Sequence, residues 1–244
     1  QVVVVGAYLA GVRAAETLRA EGFTGALTVV GAEPHRPYDR PPLSKQVLTE
    51  GWDAEHHALK AGVEGALDVD WRLGVQATAL DLAEHRVELS SGEALGFDGL
   101  VIATGARARP LPGTARLAGV HALRTLDDAL AIRTALDRPG GPDRPVRVVV
   151  VGAGFIGCEV AAAARARGAE VTIVDPLPYM TYQPFLPEVA AGEIEARHAV
   201  VGLRRHLKKT RVITAKVTGI DHAHRTATIT PQVGEPWQES YDQI

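Results

Sequence analysis

Two glycine-rich turns, each leaving a run of valines and entering an alanine-rich segment, constrain this chain more than anything else in it. The first is Val2-Val3-Val4-Val5-Gly6-Ala7-Tyr8-Leu9-Ala10-Gly11, and the second is Val148-Val149-Val150-Val151-Gly152-Ala153-Gly154-Phe155-Ile156-Gly157. A valine run bounded by glycine reads as a strand buried on both faces, and the alanine-rich stretch after it as a helix. Each helix pattern is followed by a second apolar strand ending near an acid, Glu33 after residues 27–30 and Asp175 after residues 170–174. Strand, glycine turn, helix, strand and acid together form the pattern of a dinucleotide-binding βαβ unit. Two such units in one chain imply two dinucleotides, or one flavin and one nicotinamide.

The glycines have separate physical tasks. In the second unit Gly152 permits the tight turn, Gly154 lets the backbone approach a pyrophosphate, and Gly157 lets helix and strand pack closely. The free amides and partial positive charge at the helix start then face the phosphates. Asp175 can accept both hydroxyls of an adenosine ribose, and no Arg or Lys follows it to receive a 2′-phosphate, which favours NADH or FAD over NADPH. The first unit reads Gly6-x-Tyr8-x-x-Gly11. A tyrosine where the backbone should meet the phosphates must swing aside or block them, while Glu33 keeps the place of the ribose acid.

Between the units lies a proline-rich loop at residues 34–45, short strands at 67–75 and 85–90, and an apolar strand at 99–103 that runs into Thr104-Gly105. Thr125-Leu126-Asp127-Asp128 has a capping-box layout ahead of a helix at 127–136, with Asp in place of Glu. Arg138-Pro139-Gly140-Gly141-Pro142 reads as a linker. Beyond the second unit, residues 177–187 read as another loop, 199–208 as a helix and 211–230 as a hairpin. The expected architecture is α/β with two Rossmann-like units: residues 1–115, a connecting helix and linker at 116–145, and residues 146–244.

With 46% hydrophobic and 23% charged residues, the composition is that of a globular protein. A net charge of −3 argues against a general nucleic-acid binder. The basic run Arg204-Arg205-His206-Leu207-Lys208-Lys209 reads as the solvated face of a short helix. No stretch approaches the ~18 apolar residues that span a bilayer, so no transmembrane segment is expected. Cys158 is the one cysteine, which excludes an internal disulfide and fits a cytoplasmic setting. His56-His57 and His222-x-His224 lack the carboxylate or cysteine company of a metal site, and no G-x-S-x-G elbow is present. Both ends fall against apolar strand patterns, which reads as a piece of a longer chain.

Residues 2–176 resemble the FAD-dependent ferredoxin reductases of bacterial oxygenase systems (the putidaredoxin and rubredoxin reductase type), within the pyridine nucleotide-disulfide oxidoreductases. The resemblance rests on Gly6-x-x-x-Ala10-Gly11, Glu33, Arg40-Pro41-Pro42-Leu43-Ser44-Lys45, Ala103-Thr104-Gly105 and Gly152-Ala153-Gly154-Phe155-Ile156-Gly157-Cys158-Glu159. It implies FAD held by Gly6, Gly11, Glu33, Thr104 and Gly105, with Arg40 and Lys45 at the flavin. It also implies NADH held by Gly152, Gly154, Gly157 and Asp175, with Glu159 near the nicotinamide. Electrons would pass from NADH through FAD to a ferredoxin-type iron–sulfur protein, with Lys45 and Glu159 at the reacting groups. That family usually has a small residue where Tyr8 stands. Residues 177–244, from Tyr179-Met180-Thr181-Tyr182-Gln183-Pro184-Phe185-Leu186-Pro187-Glu188 onward, are instead similar to the first domain of type II NADH dehydrogenases. There the preceding glycine turn takes FAD and the acceptor is a quinone. A non-catalytic dinucleotide-binding fragment is the reading outside enzymes.

Overall fold

A computed structural model describes residues 1–59, 67–114, 117–141 and 144–244 of the chain. Pro142 of the expected linker therefore lies outside the described residues. The chain divides into two compact units, Gln1–Pro42 with Trp52–Arg107, and Leu43–Gly51 with Ala108–Ile244.

In the first unit, β1 (Val2–Val5) leads through the glycine turn into α1 (Leu9–Ala20), and β2 (Leu27–Gly31) follows. The short α2 (Gln46–Thr49) belongs to the second unit. β3 (Asp70–Leu73) and β7 (Gly99–Ile102) complete a parallel sheet of order β3-β2-β1-β7. β4 (Ala77–Asp81), β5 (Arg86–Leu89) and β6 (Ala94–Gly96) form an antiparallel meander between β3 and β7. Successive valines of β1 face opposite ways. Val4 packs with Ala15 of α1, Leu27 and Val29, whereas Val3 packs with Val30 and with Val87, Leu89 and Leu95 of the meander. Both faces of the sheet are covered, which is why the strand can be an unbroken apolar run. Each fully buried valine is worth ~1.5–3 kcal/mol.

The second unit repeats this order. β8 (Arg147–Val151), α4 (Phe155–Ala166) and β9 (Glu170–Asp175) form its βαβ unit, and β12 (Arg211–Thr214) adds a parallel strand. The meander β13 (Lys216–Asp221), β14 (Thr226–Thr230) and β15 (Trp237–Ser240) follows. Gln243 then pairs in parallel with Val148, where β7 pairs with β1 in the first unit. Details recur as well. Both meanders have a register shift in their first strand, between Ala77/Ala79 and between Val217/Gly219. Both turn through a residue of positive φ, His85 at +48° and Arg225 at +53°.

The helix expected at residues 127–136 is α3 (Leu126–Leu136), and its capping box is formed: Asp128 N–H donates to Thr125 Oγ1 at 3.1 Å, and Thr125 N–H donates to Asp128 Oδ2 at 2.8 Å. Two expectations need correction. Residues 199–208 are not one helix. β11 (Val200–Gly202) pairs antiparallel with β10 (Tyr179–Thr181), and only α6 (Leu203–His206) is α-helical. The branched Val200 and Val201 pack better on a pleated ribbon than on a helix. Residues 211–230 are not one hairpin either, because β12 joins β9 and the hairpin begins at Lys216. The 177–187 loop contains β10 and runs towards α5 (Leu186–Ala191).

Candidate nucleotide-binding sites

The first turn is closed by steric necessity. Gly6 has φ +124°, and a Cβ there would sit 2.0 Å from the Ala103 carbonyl oxygen. A Cβ on Gly11 would sit 1.8 Å from the Gly6 carbonyl oxygen. Only glycine lets β1, the end of β7 and the start of α1 approach this closely. The same crowding brings the Thr104 backbone beside Gly6, with Gly105 next in the chain and Ala103 N–H donating to Val5 C=O at 2.8 Å. The first intrahelical bond of α1 runs from Val12 N–H to Tyr8 C=O at 2.8 Å, so the amides of the first turn precede the ladder. Neither a side-chain cap nor a first-turn acid competes for them.

Tyr8, the N-cap of α1, turns its ring towards the strand-end acid. It meets Tyr38 edge-on, centroids 5.4 Å apart, and the Arg40 guanidinium lies 3.8 Å from its ring centre. Glu33 anchors the group. Tyr38 O–H donates to Glu33 Oε2 at 2.5 Å, and Arg40 Nη2 donates to Glu33 Oε1 at 3.0 Å. Burial first, and then Glu33 and Tyr38, push the Tyr8 hydroxyl far above the ordinary tyrosine range, so it stays neutral. The expected candidates Glu33 and Arg40 are thus brought together, and Tyr38 joins them. Tyr38 is among the largest fully buried side chains and was not a sequence candidate. Its one signal was position, two residues before Arg40 in the proline-rich loop.

The second turn is built alike but stays open in the middle. Gly152 has φ +99°, and a Cβ on Gly157 would sit 2.0 Å from the Gly152 carbonyl oxygen. A Cβ on Gly154 would meet nothing within 4 Å. Asp175 holds the turn, accepting from Ala153 N–H through Oδ2 at 2.7 Å and from Leu177 N–H through Oδ1 at 2.8 Å. Each carboxylate oxygen keeps a lone pair for a further donor. The turn opens onto a cavity of about 690 Å³ within this unit, lined by Val151, Gly152, Gly154, Phe155 and Gly157 among others. Such a volume is the size of a small-molecule site.

Lys45 and Glu159 are also brought together. Lys45 Nζ lies 3.0 Å from Glu159 Oε1, and Ser44 O–H donates to Glu159 Oε2 at 2.5 Å. Ser44, itself buried, fixes the second carboxylate oxygen and was missed from sequence because the contact spans more than a hundred residues. Beside them Cys158 S–H donates to Ala153 C=O at 3.3 Å, and burial, then Asp175 and Glu159, push its thiol up. Among the described residues no group of three or more His, Cys, Asp or Glu could hold a metal ion; His56 pairs with Asp53 and His224 with Asp221. Among the described residues no helix is long and apolar enough to cross a membrane.

The family described as pyridine nucleotide-disulphide oxidoreductase matches residues 1–237. Rhodocoxin reductase of Rhodococcus erythropolis is 39% identical over 209 residues, 84% of this chain and 47% of the relative. The biphenyl dioxygenase system ferredoxin–NAD(+) reductase component of Paraburkholderia xenovorans (strain LB400) is 42% identical over 175 residues, 71% of this chain and 41% of the relative. The reductase fold in the covalent putidaredoxin reductase–putidaredoxin complex is matched with a TM-score of 0.76 at 33% identity, over 99% of this chain and 56% of that one. The chain therefore spans just under half the length of these curated relatives.

Proposed function

Because this chain belongs to the pyridine nucleotide-disulphide oxidoreductase family, we propose that it serves as a flavoprotein oxidoreductase that takes electrons from NADH and delivers them through FAD to a ferredoxin-type iron–sulfur protein. The observation that carries the reading is the pair of glycine turns, each closed by a glycine that no side chain could replace and each backed by a strand-end acid. The relatives named ferredoxin–NAD(+) reductase and the putidaredoxin complex supply the acceptor class.

In this reading residues 1–115 are the first part of an FAD-binding domain, 116–145 connect, and 146–244 bind NADH. Gly6 and Gly11 admit the FAD pyrophosphate to the α1 N-terminus, and Thr104 and Gly105 line the same cleft. Glu33 receives the adenosine ribose and Arg40 adds positive charge. FAD, when bound, supplies hydride acceptance and single-electron donation. Lys45 stabilises negative charge on the reduced ring, held in place by Glu159, which Ser44 orients in turn. Gly152, Gly154 and Gly157 cradle the NADH pyrophosphate. Asp175 accepts its ribose and repels a 2′-phosphate, and Pro176, Leu177 and Pro178 offer no cation to offset that repulsion. A cytoplasmic setting suits these cofactors.

Anaerobic assays with NADH and either a [2Fe–2S] ferredoxin or a short-chain quinone test the acceptor. Faster reduction of the ferredoxin is expected. Preference for the quinone would favour the type II NADH dehydrogenase reading of residues 177–244, and NADH binding with no acceptor reduced would favour a non-catalytic fragment.

A further inference from the structure

We infer that Arg167 is a positioning residue for Lys45: by taking the Leu48 carbonyl at the end of α2, it fixes the short helix whose N-cap carries the ammonium beside Glu159. What Lys45 serves there rests on the flavin reading above. The path of the chain calls for such a tie. Leu43–Gly51 belongs to the second unit, although the chain on both sides of it, up to Pro42 and from Trp52, belongs to the first. A helix of four residues cannot stand alone in water, so the second unit must hold it.

Apolar burial supplies part of the hold. Val47 and Leu48 are fully buried, and α2 packs on α3 and α4. Burial is non-directional, so it chooses the inner face of α2 and leaves slide and rotation open. Polar contacts close them. Leu48 and Thr49 N–H both donate to Lys45 C=O at 2.9 Å, and Glu50 N–H donates to Gln46 C=O at 2.8 Å. The carbonyls of Val47 and Leu48 come after the last of these acceptors and need partners from elsewhere. Arg167 Nη1 donates to Leu48 C=O at 2.8 Å, and Arg133 Nη1 of α3 reaches Val47 C=O at 3.4 Å. Arg167 is the C-cap of α4, and its Nη2 pairs with Asp137, the C-cap of α3. Glu159 lies eight residues earlier, about 12 Å back along the same helix, and holds the other end of α2 through Lys45 and Ser44. The ion pair with Glu159 fixes the ammonium but not the backbone that carries it, because the lysine stem is flexible. The bond to Leu48 fixes that backbone. α4, which starts at the second glycine turn, therefore grips α2 at both ends and sets Lys45 relative to that turn.

Two readouts test this. The first is hydrogen exchange in the purified chain, followed by mass spectrometry, as the ratio of the rate in residues 46–51 to the rate in β8, so that a general loss of stability cancels. Arg167→Met, which keeps an apolar stem, should raise that ratio by about tenfold or more, the worth of a hydrogen bond from a charged group. Asp137→Ala removes the exposed partner of Arg167 and should raise it by no more than about threefold. The second readout is the midpoint potential of the flavin-loaded protein, which a purely structural role of Arg167 would not move through Lys45. Arg167→Met should lower it, by no more than Lys45→Met does, and should lower it no further in a Lys45→Met background. A parental exchange ratio in Arg167→Met, equal loosening in Asp137→Ala, an unchanged potential, or a potential that falls equally with and without Lys45 would overturn the inference. A parent chain that takes up no FAD overturns the flavin reading, and with it what the ammonium is positioned for, whereas the exchange ratio still decides whether Arg167 fixes α2.

Discussion

Alanine substitutions at Gly157 and Gly154, three residues apart, should have opposite effects. At Gly157 the new methyl would sit 2.0 Å from the Gly152 carbonyl oxygen, far inside any carbon–oxygen contact, and the atom it meets is backbone. The turn or α4 must shift, at a cost of about 1–3 kcal/mol by analogy with overpacked cores. In a domain of this size that lowers the melting temperature by about 2–4 °C per kcal/mol. At Gly154 the methyl meets nothing within 4 Å, and φ −71° with ψ −174° is open to any residue. The reduced freedom of the unfolded chain stabilises by about 0.4–1 kcal/mol, and losing glycine at an N-cap costs about as much, so the melting temperature should barely move. The same methyl stands where a pyrophosphate would approach. Gly154→Ala should therefore weaken NADH binding by about tenfold or more, a loss of ~1.4 kcal/mol, while leaving stability intact. Thermal unfolding followed by circular dichroism and an NADH fluorescence titration read the two effects separately. A Gly154→Ala variant with parental NADH affinity would refute the role of the open position, and parental melting of Gly157→Ala would refute the close approach.

Lys45→Met should lower the flavin midpoint potential in spectroelectrochemical titration, because a half-exposed cation contributes about 1 kcal/mol, or roughly 20 mV in a two-electron couple. An unchanged potential in the flavin-loaded protein would remove Lys45 from the ring. Asp242 takes Arg144 at 2.6 Å and the Arg147 N–H at 2.8 Å, and the Arg144 guanidinium foremost holds its carboxyl below the usual range. Its contribution is therefore complete above the unfolded value of about 3.9 and is lost as pH falls through the lower folded value. Asp242→Asn should cost about 1–2 kcal/mol at neutral pH and flatten the acid limb of the urea-stability profile. Cys158, whose thiol is pushed up by burial, should react with iodoacetamide more slowly than a free cysteine at pH 8, with the rate still rising above the ordinary thiol value.

The parts of the fold visible in the sequence are those fixed by local rules. Valine runs, paired glycines and strand-end acids located both βαβ units, and Thr125 with Asp128 located the start of α3, because each is decided within a few residues. The misread segments were decided by distant partners. Val212 and Ile213 look the same whether they open a hairpin or join a parallel neighbour, and it is β9 that makes them a sheet strand. Val200 and Val201 pair with Met180 and Thr181 across a loop that carries no helical or strand period. The candidate sites divide in the same way. Glu33, Arg40, Lys45 and Glu159 could be named one by one from motif and resemblance. Their grouping into Glu33–Arg40–Tyr8–Tyr38 and into Ser44–Lys45–Glu159 depends on three-dimensional packing that spacing does not encode. Tyr8 shows the difference most clearly. As a letter it interrupts the phosphate-binding pattern, and as a ring under Arg40 it is packed into the cluster around Glu33.

The proposed function requires one chain to hold both an electron-donating nicotinamide and an electron-accepting flavin. The most direct measurement is the visible absorbance spectrum of the protein after incubation with FAD and removal of the excess, recorded anaerobically before and after NADH is added. A retained flavin band that bleaches with NADH, and far less with NADPH, is the expected result. A colourless protein, or a bound flavin that NADH leaves oxidised, would contradict it.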